Sequence, residues 1–330
     1  MKAALSITAI PMGRIFNYAG VILLLALGIQ LADWAIWSAV FTPQLQACQA
    51  AAPGGACWGV VAEKWRIILF GRYPAEEIWR PITVTILWTL ALWATVAGRL
   101  KPKYAVPVWL LGVPAAWLLM SAAPTTLWGG LPLTLMISCL GIGLAFPLAV
   151  LLALGRRSEQ IWVRIPCVVY IETLRALPLV SILFLAAFVL PLLLPVAWVG
   201  ESKDLLPRVI VTIAFFSAAY QAEVIRGGLQ TVAIGQNQAA MALGLRWGQA
   251  QWHVVLPQAF KACLPGLTNS FITLFKECSL VTVVSLFELT GALGLALGGD
   301  VQWRQYYLEG YLFIAAVYWV YCYGLARYAK

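Results

Sequence analysis

The sequence GQNQAAMALGLRWGQAQWHVVLP, from Gly235 to Pro257, is a mixed, polar stretch between two apolar segments. Ala240 and Gly244 are four residues apart, and residues at this spacing lie on one face of a helix. A face with almost no side chain lets another backbone or a rigid pocket approach closely. We interpret the stretch as a short docking helix between two membrane spans, although the pattern alone fits an ordinary surface helix equally well.

The composition is that of a membrane protein. Of the 330 residues 62% are hydrophobic and 11% are charged, whereas soluble proteins carry about 25% charge. The segment 104–155 contains no charge and is far longer than the ~20 residues of one span. We therefore predict an all-α integral membrane protein, which excludes a soluble enzyme. The net charge of +9 is interpreted as a record of membrane orientation rather than as a sign of nucleic-acid binding.

About eight transmembrane helices are expected from the apolar runs. They are Phe16–Val40, Pro81–Ala97, Tyr104–Met120, Leu133–Leu154, Ala176–Trp198, Leu205–Val224, Leu264–Leu286 and Leu308–Ala326. Lys and Arg concentrate in cytoplasmic loops, and most of them fall inside when the N-terminus is inside. This orientation puts both termini and the stretch 235–257 in the cytoplasm.

The seven cysteines form no CxxC pair, so no metal site is expected. Cys48 and Cys57 lie together in the long loop 42–80, and a disulfide can join them if that loop faces an oxidising compartment. Glu288 and Asp300 are interpreted as solvated charges of external loops.

Lys276 and Glu277 fall near the middle of the predicted seventh span. A charge at the bilayer centre costs at least ~2.5–3.5 kcal/mol, so such residues usually mark a site or an ion pair. The two could meet the carboxylate and ammonium groups of a zwitterionic substrate, with Asn269 and Thr273 lining the same cavity. The alternative is that they pair with each other, or with Glu172, and only hold the bundle together.

Two further charge pairs lie at the ends of spans. Glu172 and Arg175 precede the fifth span, where they brace its entry or contact substrate. Glu223 and Arg226, three residues apart at the inner end of the sixth span, are predicted to form a local pair.

With these residues in view, the chain resembles the permease subunits of ATP-binding-cassette importers. The loop pattern of that family is Glu-Ala-Ala, three residues, Gly, nine residues, Ile, one residue, Leu-Pro. The corresponding residues here are Gln238, Ala239, Ala240, Gly244, Val254, Leu256 and Pro257. Gln replaces Glu and Val replaces Ile, at matching spacing. The resemblance implies a coupling helix that docks in a cleft of the ATPase subunit. Gly235 and Arg246 are counted with these residues as part of the contact.

The resemblance is most specific for the polar amino acid branch, and within it for the general L-amino acid permeases. The segments that carry it include GGLPLTL, YIETLRALPL, AAYQAEVIRGGLQ and FKECSLV, and it extends over residues 129–328. FKECSLV departs from the usual FKDTSL form because Glu277 and Cys278 replace Asp and Thr. The resemblance implies a five-helix type I importer core in residues 129–330, with the coupling loop at 226–263. Residues 1–128 would form an N-terminal extension of three spans with a long external loop.

The resemblance also implies partners. They are a second permease subunit that is a different chain, two ATPase subunits that bind ATP and Mg, and a periplasmic amino acid-binding protein. The chain itself would hold no cofactor and catalyse no reaction alone, and it would lie in a bacterial inner membrane. The alternative is an ion-driven secondary amino acid transporter, which predicts intramembrane acid chains and interrupted helices in paired halves.

Overall fold

A computed structural model describes residues 12–51, 54–193 and 205–328, which are helical almost throughout. The helices of the first half are α1 (Met12–Ala32), α2 (Leu45–Ala51), α3 (Gly59–Phe70), α4 (Trp79–Val96), α5 (Pro102–Met120) and α6 (Gly130–Arg156). Those of the second half are α7 (Ile161–Ala176), α8 (Leu179–Phe184), α9 (Leu190–Leu193), α10 (Leu205–Thr231), α11 (Ile234–Ala242), α12 (Trp247–Ala250), α13 (Leu256–Glu277), α14 (Leu289–Gly298) and α15 (Tyr307–Tyr328). The prediction of an all-α membrane protein is confirmed.

Six helical segments in the described ranges are long and apolar enough to cross a membrane. They are Asn17–Trp37, Lys103–Met120, Gly130–Arg156, Leu205–Thr231, Trp247–Val284 and Arg304–Arg327. A seventh span is formed if the bent pair Ile161–Ala176 and Leu179–Leu193 crosses as one. The predicted second span corresponds to α4, which is helical but is not among these six, since Arg80 and several polar or indole side chains lower its hydropathy. A count of eight therefore stays a prediction.

Two predicted span boundaries are wrong. The fifth span was placed from Ala176 onward, but the chain bends by 104° at that point because Pro178 cannot continue the preceding helix. Its predicted end, beyond Leu193, lies outside the described residues. The seventh span was placed from Leu264, but its helical run already begins at Trp247. Pro257 has no N–H group to donate to the preceding turn. The backbone there widens into a π-helical turn over Gln251–Val255, so the helical run continues through the proline.

The described residues form two compact units, of which the first combines the residues before Arg66 with Asp300–Gly310. A disulfide joins Cys48 and Cys57, whose Cα atoms are 5.3 Å apart. The backbone N–H of Cys57 donates to Glu309 Oε1 at 3.0 Å. Two segments far apart in the sequence are thereby held together in this unit.

Asp300, which was predicted to be a solvated charge, is partly exposed and is also paired. Its Oδ2 atom lies 2.7 Å from the Lys64 ammonium nitrogen. The hydrogen bond from Lys64 holds the pKa of the Asp300 carboxyl below its usual value. The sequence could not indicate this pair, because 236 residues separate its members.

The second unit comprises Arg66–Gly299 and the residues from Tyr311 onward. Its long helices pack against one another through small residues. One buried cluster contains Ala145, Ala149 and Ala153 of α6, Ala218 and Ala222 of α10, and Ala259 of α13. The spacing of four puts these alanines on one face of each helix, so the backbones approach closely. A Cβ atom at Gly228 of α10 would lie 2.6 Å from the Ala259 carbonyl oxygen. Helix α13 is therefore held directly against α10.

Candidate functional site

The stretch that resembles a coupling loop forms a turn between α11 and the helical run that starts at Trp247. Helix α11 ends at Ala242, and Gly244 follows with a φ of 87°. The Leu245 N–H donates to the Ala240 carbonyl at 3.2 Å and the Gly244 N–H to the Met241 carbonyl at 3.0 Å. These two bonds and the left-handed residue define a Schellman motif, the commonest way for a helix to end at glycine.

This geometry corrects the shared face inferred from the sequence. Gly244 lies beyond the helix end, so Ala240 and Gly244 do not lie together on a helical face. Ala240 is 4% exposed and packs inward. The glycine is required by its backbone conformation, which a residue with a Cβ atom adopts at a cost of about 1–2 kcal/mol.

The turn is fastened to the helical run that follows it. Gln251 donates to Asn237 Oδ1 at 3.1 Å, and Gln258 donates to Gln236 Oε1 at 3.3 Å. Gln236 and Asn237 therefore lie within α11 and cross-link it to the helical run. The Arg246 N–H donates to Gln249 Oε1 at 2.9 Å, which opens the next helix. Side-chain hydrogen bonds thus hold α11 against the helical run, and the Arg246–Gln249 bond fixes the start of that run.

The outward side of this element is what we call the coupling surface. It consists of exposed residues of α11 and of the turn: Ile234, Gly235, Gln238, Ala239, Met241, Leu243, Gly244, Arg246 and Trp247. Leu243 is 85% exposed, and Arg246 is the only charged member. Of the two residues that close the family pattern, Leu256 is buried in the alanine-rich core and Pro257 is exposed.

A second feature lies further along the same helical run. Asn269, Thr273 and Lys276 are exposed, and their spacing puts them on one face of α13, which we call the pathway face. Leu274 and Phe275 are buried on the other side. Because the run begins at Trp247, Lys276 lies in its last third rather than near its middle. Glu277 is half-buried beside it.

The predicted alternative partner of Lys276 is engaged elsewhere. Glu172 Oε1 lies 2.8 Å from Arg156 Nη2. In the described part of the chain Lys276 takes part in no ion pair. The ammonium group is therefore presented on the pathway face.

The other charged residues form a network around Glu223. Arg226 donates to Glu223 at 2.9–3.1 Å, which confirms the predicted local pair. Arg156 Nη1 lies 3.1 Å and Arg175 Nη1 lies 3.8 Å from the same carboxylate. The network joins α6, α7 and α10. The role of Arg156 was missed because its neighbours in the sequence mark it only as part of a basic patch.

Glu288 was predicted to be solvated, and this is wrong. The residue is fully buried at the start of α14. Its Oε1 atom accepts from the N–H groups of Thr290 and Gly291 at 2.9 and 3.0 Å and from the Thr282 hydroxyl at 3.1 Å. Its Oε2 atom accepts from the Tyr318 hydroxyl at 2.9 Å and the Thr134 hydroxyl at 3.4 Å. The carboxylate thus connects α6, α14 and α15.

Comparison with known proteins gives consistent matches. Residues 145–326 match the family described as the binding-protein-dependent transport system inner membrane component. The chain is 38% identical over 311 residues to the inner membrane amino-acid ABC transporter permease protein YhdY of Escherichia coli K12, covering 91% of this chain and 83% of that protein. It is 35% identical over 339 residues to the glutamate/glutamine/aspartate/asparagine transport system permease protein BztC of Rhodobacter capsulatus, covering 83% of this chain and 77% of that protein. A crystal structure of an amino acid ABC transporter with histidines aligns with a TM-score of 0.49 at 31% identity, over 59% of this chain and 87% of that chain.

The membrane-spanning helices and these matches together define a membrane-embedded permease subunit. The chain belongs to the family of binding-protein-dependent transport system inner membrane components. The resemblance predicted from the spacing in Gly235–Pro257 is confirmed, and the ion-driven alternative is not supported.

Proposed function

We propose that the chain is the transmembrane permease subunit of an ATP-driven amino acid importer that receives its substrate from an external binding protein. The observation that carries the proposal is the braced turn at Gly244. It presents a nearly uncharged, largely apolar coupling surface on an element that the positive-inside rule assigns to the cytoplasm. Exposed apolar residues grouped in this way mark a protein interaction site.

The proposed occupant of the coupling surface is the ATPase subunit of the importer. Two such subunits would bind ATP and Mg and close on each other, and this chain would hold neither. Gln238 stands where the family has an acidic residue, so the contact here would depend on hydrogen bonds and apolar packing rather than on an ion pair. Ala239 is exposed on α11, and its small side chain would allow the close approach that docking requires.

The helical run from Trp247 to Glu277 would transmit motion from the turn to the pathway face. At 1.5 Å per residue it is roughly 45 Å long, which exceeds the ~30 Å hydrocarbon core. It packs along α10 through Ala259, and the amide cross-links fix its inner end to α11. A displacement of the coupling surface would therefore displace Lys276.

The pathway face supports a translocation route shared with another chain. Polar and charged side chains within a span rarely face lipid and usually line a cavity or a protein contact. Asn269, Thr273 and Lys276 are exposed in this chain, so we propose that a second permease subunit, a different chain, covers them and completes the route. Glu277 would contribute at its edge. Glu172 and Arg175 are engaged in the Glu223 network, which favours a bracing role for them over contact with substrate.

We further propose the division into an N-terminal extension, residues 1–128, and a permease core, residues 129–330, with the coupling loop at 226–263. The family match at residues 145–326 supports the position of the core. The location would be a bacterial inner membrane with both termini in the cytoplasm. The disulfide supports this orientation, because such bonds persist in oxidising compartments.

The orientation predicts which side of the membrane can reach the disulfide. In intact spheroplasts, a membrane-impermeant maleimide should label Cys48 and Cys57 after gentle reduction and should leave them unlabelled before it. The matched control is the double variant Cys48→Ser, Cys57→Ser, in which the reduction-dependent label should vanish. Labelling that requires permeabilised membranes would reverse the proposed topology.

Reconstitution tests the function as a whole. Proteoliposomes that contain the chain, its partner permease and the ATPase should accumulate radiolabelled amino acid only with ATP inside and loaded binding protein outside. Competition by a panel of unlabelled amino acids then defines the substrate. Uptake driven by an ion gradient without ATP would contradict the proposal.

A further inference from the structure

The helical run that carries Lys276 ends in a strained backbone. After Glu277 the helix tightens into a 3-10 helix over seven residues, Cys278–Val284. Runs of this kind longer than three or four residues are uncommon. Ser285 follows with a φ of 67° and a ψ of 23°, in the left-handed region. No other non-glycine residue in the described part of the chain has a positive φ.

The hydrogen bonds around Ser285 repeat those around Gly244. The Ser285 N–H donates to the Thr282 carbonyl at 3.0 Å, and the Leu286 N–H donates to the Val281 carbonyl at 3.3 Å. Both turns are therefore Schellman motifs, with glycine at the left-handed position of one and serine at that of the other. The Cβ atom of serine disfavours this conformation by about tenfold relative to glycine. Such strain persists only where the surroundings impose it, and it is concentrated at switch regions.

The residues after Ser285 are fixed. The Gly130 N–H donates to the Phe287 carbonyl at 3.0 Å, which ties this segment to the start of α6. A Cβ atom at Gly129 would lie 2.7 Å from the same carbonyl oxygen. Glu288 follows, and four of its donors lie outside the segment that precedes Ser285, on Thr134, Thr290, Gly291 and Tyr318. Its fifth donor, the Thr282 hydroxyl, lies before Ser285. This side of the turn cannot shift without the loss of a buried carboxylate's hydrogen bonds.

The residues before Ser285 belong to the segment that carries the pathway face. Asn269, Thr273 and Lys276 are open on one side of α13, and the amide cross-links connect the other end of the run to α11. A motion of α13 relative to the fixed segment must therefore be absorbed between Cys278 and Ser285.

We propose that Ser285 is the pivot of α13. In the state described here Ser285 is left-handed, and it leaves that region in the opposite transport state, while Glu288 holds the following segment still. The serine Cβ atom raises the energy of the left-handed state and so keeps the two states close enough in energy to interconvert. This inference rests on the proposed function, because it takes the coupling surface as the source of the motion.

The test is Ser285→Gly. This change removes the energetic cost that the serine Cβ atom adds to the left-handed conformation, and it leaves the conformation of the turn described here unchanged. The left-handed state gains about tenfold in population relative to the other state. Maximal ATP-driven uptake in proteoliposomes should fall about three- to tenfold, while the KM for the loaded binding protein stays within about twofold. The thermal unfolding midpoint of the variant should be unchanged or raised, because the relief of strain stabilises the folded chain.

The matched control is Ser285→Ala, which keeps the Cβ atom and removes the hydroxyl group. Its uptake should stay within about twofold of the unmodified chain. Wild-type uptake by Ser285→Gly would overturn the pivot, and so would an equal loss in both variants, since the hydroxyl would then be responsible. Absence of ATP-driven uptake in the unmodified complex would overturn the proposed function itself, and the inference with it.

Discussion

Replacing Ala239 by tryptophan should abolish ATP-driven uptake while leaving the chain inserted in the membrane. Ala239 is exposed on α11, so the new indole would project from the coupling surface and not into the chain's own core. Overpacking a close-fitting contact costs typically about 1–3 kcal/mol, so the ATPase should be bound about five- to 150-fold more weakly. The measurement is co-purification of the ATPase together with uptake in proteoliposomes.

Ala239→Ser provides the matched control, because it keeps a small side chain at the same position and should transport normally. Ala240 and Gly244 are less informative positions, although the sequence makes them equally attractive. Ala240 is buried, and Gly244 is left-handed, so large residues there would damage the turn itself. Normal uptake and normal ATPase binding by Ala239→Trp would remove the coupling surface from the docking interface.

Lys276→Ala should lower amino acid uptake at least about tenfold with little effect on the amount of inserted protein. A hydrogen bond to a charged group contributes about 1.5–3 kcal/mol. Lys276 has no ion-pair partner among the described residues, so removing its ammonium group leaves no buried charge unpaired. ATP hydrolysis stimulated by the loaded binding protein should persist in part, because the coupling surface is intact. Uptake and membrane abundance measured on the same vesicles separate the two effects.

Lys276→Arg keeps the positive charge and should recover part of the lost uptake. If Lys276→Ala transported at the unmodified rate, the lysine would have only a structural role. Equal losses of uptake and of inserted protein would lead to the same conclusion.

The sequence was sufficient for features that depend on local composition and spacing. Long apolar runs predict the helical membrane fold, and the sequence spacing of the motif residues from Gln238 to Pro257 predicts the family. Both inferences use only the order of residues along one segment. The local pair of Glu223 with Arg226 was predictable for the same reason, since three residues separate its members.

The features that were missed depend on contacts between distant segments or on a backbone angle. Glu288 is buried because hydroxyl groups of Thr134 and Tyr318 reach it from other helices, and nothing near it in the sequence indicates them. Gly244 was assigned to a helical face because a four-residue spacing does not reveal that its φ is positive. The start of the seventh span was placed too late because Pro257 and Lys261 resemble a loop, whereas a π-helical turn carries the helix past the proline.

The contact between Cys57 and Glu309 sets an order of events during synthesis. The two residues are 252 positions apart, and the chain emerges from the ribosome at about 5–20 residues per second. The disulfide partners are therefore made on the order of ten seconds or more before the carboxylate that accepts the Cys57 N–H. The first unit can be completed only when Asp300–Gly310 have been made, so its completion reports that synthesis has passed Gly310.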